Sequence, residues 1–111
     1  MLKKAHRLST KQFMEVMEKG RIYTSSLFVM RVLINKDNGG ISAVAPKKVA
    51  TTAVLRNKLR RQIYQAAAPL QKTIPQGASV IIFAKAETTK ADFKDLSLDL
   101  KNLFIKAKIS V

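Results

Sequence analysis

The sequence predicts an α+β sandwich, a small mixed sheet of about three to four strands packed with three helices. Three observations carry this. Two β-rich segments flank a turn rich in Asn and Gly. A long helical pattern then separates the second of them from a run of β-branched residues. Capped, amphipathic patterns stand at both ends of the chain.

The first element begins at Ser9, which with Gln12 makes a capping box, while Leu8 and Phe13 occupy the staple positions. A helix over 10–19 follows. Phe13, Val16 and Met17 give it one narrow apolar stripe, and Gly20 is expected to end it as a left-handed residue. The segment 27–34 is rich in Phe, Val, Leu and Ile; it leads through Asn35-Lys36-Asp37-Asn38-Gly39-Gly40 into a strand over 41–45, which reads as a β-hairpin. After Pro46 and the pair Lys47-Lys48, a helical pattern over 52–68 carries Leu55, Leu59, Ile63 and Ala66 as its core stripe and is expected to stop at Pro69. A polar stretch with Pro75 and Gly77 precedes a buried-type strand over 78–84. The last helix is expected over 89–106, with Thr89 and Asp92 as its capping box and Phe93, Leu96, Leu100, Leu103 and Ala107 on its apolar face. Asp92, Asp95 and Asp99 load its N-terminal half with the sign the helix dipole favours. Strand 41–45, helix 52–68 and strand 78–84 form a β-α-β unit, for which the base rate favours a right-handed crossover. With no repeat or long linker, residues 1–111 read as a single domain.

Charge is the strongest functional signal. The chain has 21 Lys and Arg against 7 Asp and Glu, a formal net charge of +14, and self-repulsion at that density points to a polyanionic partner. From Asn38 through Ala86 there is no carboxylate, whereas Lys47, Lys48, Arg56, Lys58, Arg60, Arg61, Lys72 and Lys85 all fall there. At about 100° per residue, Arg56, Asn57, Arg60, Arg61 and Tyr64 spread over the helix side opposite Leu55, Leu59 and Ile63. Guanidinium groups fork onto phosphate, Tyr64 offers a stacking surface, and Asn57 can read a base edge or a 2′-hydroxyl. The bland alternative, a solvated basic face, is weakened because no carboxylate stands one turn away to pair with these cations. Lys47-Lys48 reads either as a functional loop or as a solubilising pair. The Phe13 stripe reads either as core or, beside Lys3, Lys4, Arg7 and Lys11, as a surface that stacks on unpaired bases.

Other classes are excluded or disfavoured. Zero Cys excludes a disulfide framework, a thiolate zinc site and a cysteine nucleophile, and fits a reducing compartment. The best apolar run, 80–84, falls far short of the ~20 residues needed to span a bilayer. The N-terminal stretch lacks the apolar core of a signal peptide. His6 is the sole histidine, Glu15 and Glu18 share one short helix, and no P-loop or dinucleotide glycine pattern occurs, so the polypeptide alone reads as non-catalytic.

The stretch Pro46-Lys47-Lys48, continuing to Leu55-Arg56-Asn57-Lys58-Leu59-Arg60-Arg61, resembles the signature of the bacterial ribonuclease P protein component. That signature is a Lys-Lys pair, then Arg-Asn-Arg, an apolar residue and two cations. Arg7-Leu8, Phe13, Val16, Gly20 and the Phe28-Val29 strand fit the same family, and the resemblance covers nearly the whole chain. Lys58 departs from it, standing where the second Arg is usual; Tyr64-Gln65 replaces a common Arg-Glu ending, and Met17 occupies a place often aromatic.

The resemblance implies a subunit of the ribonucleoprotein endoribonuclease that removes the 5′ leader from precursor tRNA. Its Mg²⁺ would be held mainly by a catalytic RNA, and the polypeptide alone would be inactive. By matching position, Arg56, Asn57, Lys58, Arg60 and Arg61 would bind the catalytic RNA, and Phe13, Met17, Phe28, Lys47 and Lys48 would line or flank a cleft for the precursor tRNA leader. A cytoplasmic protein with no membrane partner, monomeric within the ribonucleoprotein, and a left-handed β-α-β crossover are also implied. The rival readings are a small basic structural ribosomal protein and a protein-only nuclease; the latter would need clustered carboxylates or histidines to hold metal.

Overall fold

The computed structural model describes residues 8–34, 39–71 and 77–107. Lys3, Lys4, His6, Arg7, the turn residues Asn35, Lys36, Asp37 and Asn38, and Lys72 and Pro75 lie outside the described residues. In chain order the elements are α1 (Thr10–Lys19), β1 (Arg21–Thr24), β2 (Phe28–Ile34), β3 (Gly40–Val44), α2 (Ala53–Gln71), β4 (Ala78–Ala84), a 3₁₀ turn (Ala86–Lys90) and α3 (Phe93–Lys106). This is the expected α+β architecture, a mixed sheet with three helices.

The capping box at α1 forms as expected: the Ser9 hydroxyl accepts from the Gln12 amide at 3.2 Å, and the Gln12 side chain accepts from the Ser9 amide at 2.9 Å. Gly20 differs from expectation. Its φ of −69° and ψ of 148° are extended, and the chain runs directly into β1. Glycine is required there for space, because a Cβ would lie 2.5 Å from the Val16 carbonyl oxygen.

The strand order is β1-β2-β4-β3. Instead of pairing with β3 as the hairpin reading expected, β2 lies antiparallel to β1 and β4, while β3 lies parallel to β4. Non-local pairing wins because β4 is almost wholly buried and fills a central position, where both faces and both edges of an apolar strand are used. The Gly39-Gly40 signal has a different cause from a hairpin turn: a Cβ on Gly39 would meet the Ala78 carbonyl oxygen at 1.9 Å, so the chain enters β3 hard against the start of β4. The strand β1 was not expected; its four residues are mostly exposed and carry no buried alternation.

Register sorts the sheet into two faces. Phe28, Met30 and Val32 of β2 pair with Ala84, Ile82 and Val80 of β4, and these join Ile41 and Ala43 of β3 in the main core. Against that face pack Leu59, Ile63, Ala66 and Ala67 of α2 and Leu96, Leu100, Leu103 and Phe104 of α3. Residues of opposite parity, Val29, Arg31 and Leu33 of β2 with Phe83 and Ile81 of β4, belong to the other face, and α1 packs across these two strands.

Four helix expectations are corrected. Leu55 is 49% exposed, because α2 meets the core only from its second turn, at Leu59. Pro69 does not stop α2: near the helix end it removes one backbone donor, and Leu70 beyond it packs on the core. Residues 86–90 form the 3₁₀ turn, so Asp92 rather than Thr89 caps α3, accepting from the Asp95 amide at 2.9 Å. Phe93, immediately after that cap, is 43% exposed, and Phe104 fills the core in its place.

Candidate nucleic-acid interface

The basic surface is built where β3 hands the chain to α2. The amides of Val49 and Ala50 both donate to the Pro46 carbonyl at 3.0 Å, closing a turn that leaves Lys47 and Lys48 exposed. Thr52 then caps α2: its hydroxyl accepts from the Leu55 amide at 3.1 Å, and its carbonyl accepts from the Arg56 amide at 3.0 Å. Arg56 reaches back and donates from Nη1 to the Ala50 carbonyl at 3.1 Å. The lysine pair and the first turn of α2 are thereby held as one unit.

Along α2, Asn57, Lys58, Arg60 and Arg61 are exposed, and Arg56 is half-buried. Asn57 accepts a hydrogen bond from Arg60, which orients that guanidinium along the helix surface. No acidic residue stands in the first turn, so the positive end of the helix dipole adds to the side-chain charge there. Asn57, Arg60 and Arg61 thus lie exposed on α2 and Arg56 acts as a clasp, while Lys58 stands on the flank of the helix that also carries Leu55 and Gln62. Tyr64 is corrected. Its hydroxyl accepts from the Ala43 amide of the edge strand β3 at 3.1 Å and the residue packs against the core, so it joins α2 to the sheet instead of offering a stacking plate.

The second surface lies on the α1 side of the sheet. Val16 is fully buried, Phe13 is half-buried, and Met17 is 37% exposed. Arg31 of β2 donates to the Met17 carbonyl at 3.0 Å, placing a cation at the C-terminal end of α1. Phe28 does not belong to this surface: it is fully buried, and the register assigns it to the face packed by α2 and α3. Half-buried Val29 and Phe83, paired with each other across β2 and β4, take the side that Phe28 was expected to occupy. Sequence reasoning missed both. Two-residue alternation opposite Phe28, Met30 and Val32 carries the signal, but it becomes usable only once the face covered by α1 is known.

These features define a small basic α+β protein whose second helix presents a carboxylate-free face. A family model described as Ribonuclease P matches residues 2–108. The chain is 35% identical over 115 aligned residues to the ribonuclease P protein component of Rippkaea orientalis, covering 97% of this chain and 91% of that one. It is 31% identical over 100 residues to the corresponding component of Clostridium botulinum, covering 89% and 90%. It shares its fold with the RNase P protein of Staphylococcus aureus, at a TM-score of 0.83 and 23% identity over 97% of this chain and 100% of that one. The chain belongs to the ribonuclease P protein component family.

Proposed function

We propose that this chain is the protein subunit of a ribonuclease P ribonucleoprotein, in which it binds the catalytic RNA and the 5′ leader of precursor tRNA and promotes endonucleolytic removal of that leader. The observation that carries the reading is the clasped unit of the Lys47-Lys48 turn and α2, whose Asn57, Lys58, Arg60 and Arg61 are exposed with no carboxylate in the sequence between Asn38 and Ala86. In this reading Arg56, Asn57, Lys58, Arg60 and Arg61 hold the catalytic RNA. Phe13 and Met17, with Val29 and Phe83 replacing Phe28, face the single-stranded leader, and Lys47 and Lys48 flank it. Phosphate contacts fix register, and partly exposed apolar and aromatic groups meet unpaired bases. Family membership favours this reading over a small structural ribosomal protein.

Among the described residues no group of three or more His, Cys, Asp or Glu side chains is placed to hold a metal ion. The Mg²⁺ chemistry is assigned to the RNA, and the protein supplies binding and orientation. The reading places a protein monomer in a cytoplasmic ribonucleoprotein; no helix among the described residues is long and apolar enough to cross a membrane.

Reconstitution tests this. Purified protein with the catalytic RNA is expected to give Mg²⁺-dependent release of the 5′ leader, and protein alone to give none. Metal-dependent cleavage by RNA-free protein, or catalytic-RNA activity indifferent to added protein, overturns it.

A further inference from the structure

The first turns of α2 expose apolar surface where the charge is densest. Val54 is 76% exposed and Leu55 49% exposed, next to Lys58 and close in sequence to Lys47-Lys48. Leu55 does not simply face solvent. With Lys58, Leu59 and Gln62 it forms one wall of a cavity of about 340 Å³, at the small end of the range of ligand sites. Val49 contributes from the lysine-pair turn, and Thr89 and Ala91 close the far side from the segment before α3. The walls are mixed, aliphatic at Val49, Leu55, Leu59 and Ala91 and polar at Lys58, Gln62, Thr88 and Thr89, with the Gln62 amide and the Thr89 hydroxyl as groups able to address a ligand edge. Thr89 already donates to the Ala86 carbonyl at 2.9 Å, which leaves its oxygen as an acceptor.

Charge selects the occupant. Among the described residues no carboxylate lines this cavity, whereas Glu87, Asp95 and Asp99 line the neighbouring groove beside α3. The cavity thus pairs aliphatic patches and neutral hydrogen-bonding groups with a lysine on its wall and a basic helix beside it. That combination matches a polymer offering a flat apolar group next to a phosphate.

We infer that the cavity between α2, the Lys47-Lys48 turn and residues 88–91 receives one unstacked nucleobase of the catalytic RNA, with Lys58 meeting the adjoining phosphate. This rests on the function proposed above and adds a base-binding pocket to the phosphate-binding face. Leu55 and Val49 cover the base, and Gln62 and Thr89 address its edge.

Two measurements on the complete chain with catalytic RNA test it. In methyl NMR with a soluble paramagnetic agent, the Leu55 and Val49 methyls are expected to be accessible in the free protein. In the saturated complex they are expected to be protected and shifted upfield by the ring current of a base. Leu55→Asn, at a half-exposed position, is expected to weaken RNA binding about tenfold, the order expected for losing one bound base. It should leave the slope of log affinity against log salt unchanged, since no phosphate contact is removed. Methyls that stay accessible in a complex that forms with the expected salt dependence overturn the pocket alone and leave it open to a peptide partner. A wild-type chain that fails to bind the catalytic RNA overturns both this inference and the proposed function.

Discussion

Arg56 and Ala50 are joined by a guanidinium-to-carbonyl hydrogen bond of 3.1 Å, so a cation of the basic helix α2 also fixes the turn that presents Lys47 and Lys48. The two roles separate by substitution. Arg56→Ala is expected to lower stability by about 1.5–3 kcal/mol, the range for a hydrogen bond to a charged group, and to lower the melting temperature with it. Arg61→Ala, fully on the surface, is expected to stay within about ±0.5 kcal/mol. Thermal unfolding of the two proteins side by side checks this; equal melting temperatures would show that the clasp contributes nothing.

Binding to the catalytic RNA is expected to weaken linearly in log affinity as log salt rises, because lysine and arginine displace counterions from phosphates. Arg60→Ala and Arg61→Ala should each reduce that slope by about 1 and weaken binding whatever precursor is present. Filter binding across a salt series reads both quantities, and a salt-independent affinity contradicts the phosphate-binding role of this face.

Asp99 ties α3 to the β1–β2 turn. Its carboxylate accepts from the Ser25 hydroxyl and from the Leu27 amide, while Lys85 donates from Nζ to the Ser25 carbonyl at 2.6 Å. Asp99→Ala leaves the Leu27 amide without this acceptor in a half-buried site. It is expected to cost about 1.5–3 kcal/mol, the range for hydrogen bonds to a charged group. Chemical denaturation checks the magnitude. RNA affinity measured well below the melting temperature should stay near that of the unaltered protein, because the Asp99 carboxylate is engaged with the β1–β2 turn and not with the cations of α2.

Signals confined to one turn of chain were legible in the sequence. Ser9 with Gln12 and the exposed cations of α2 stand where local spacing places them. Whatever depends on a distant partner was not. The Gly39-Gly40 pair mimics a hairpin turn, yet its glycine is needed because β4, nearly forty residues later in the chain, enters alongside. Asp99 resembles a helix-dipole partner until the turn at Ser25 folds against it. Leu55 keeps perfect helical spacing with Leu59, but spacing fixes only the direction of a side chain and not how far the core extends along the helix. Phe28 fails for a related reason: alternation separates the two faces of a strand without saying which one is open.

That ambiguity makes Phe13 and Phe28 an informative pair. Phe28 is fully buried against α2 and α3, so Phe28→Ala is expected to cost about 3–5 kcal/mol of stability, as removal of a core aromatic does. Phe13 is half-buried on α1, so Phe13→Ala loses less apolar burial and should cost clearly less. If Phe13 meets the leader, its removal takes away a stacking contact worth roughly 1–3 kcal/mol per base. Assembly with the catalytic RNA should then persist while preference for leader-bearing precursor over mature tRNA declines. Any Phe28→Ala protein that remains folded should instead keep that preference in its folded fraction, because its ring never reaches the α1 face. Unfolding curves run beside a leader-length binding series distinguish the cases. Unchanged leader preference in a well-folded Phe13→Ala protein would remove Phe13 from the leader surface.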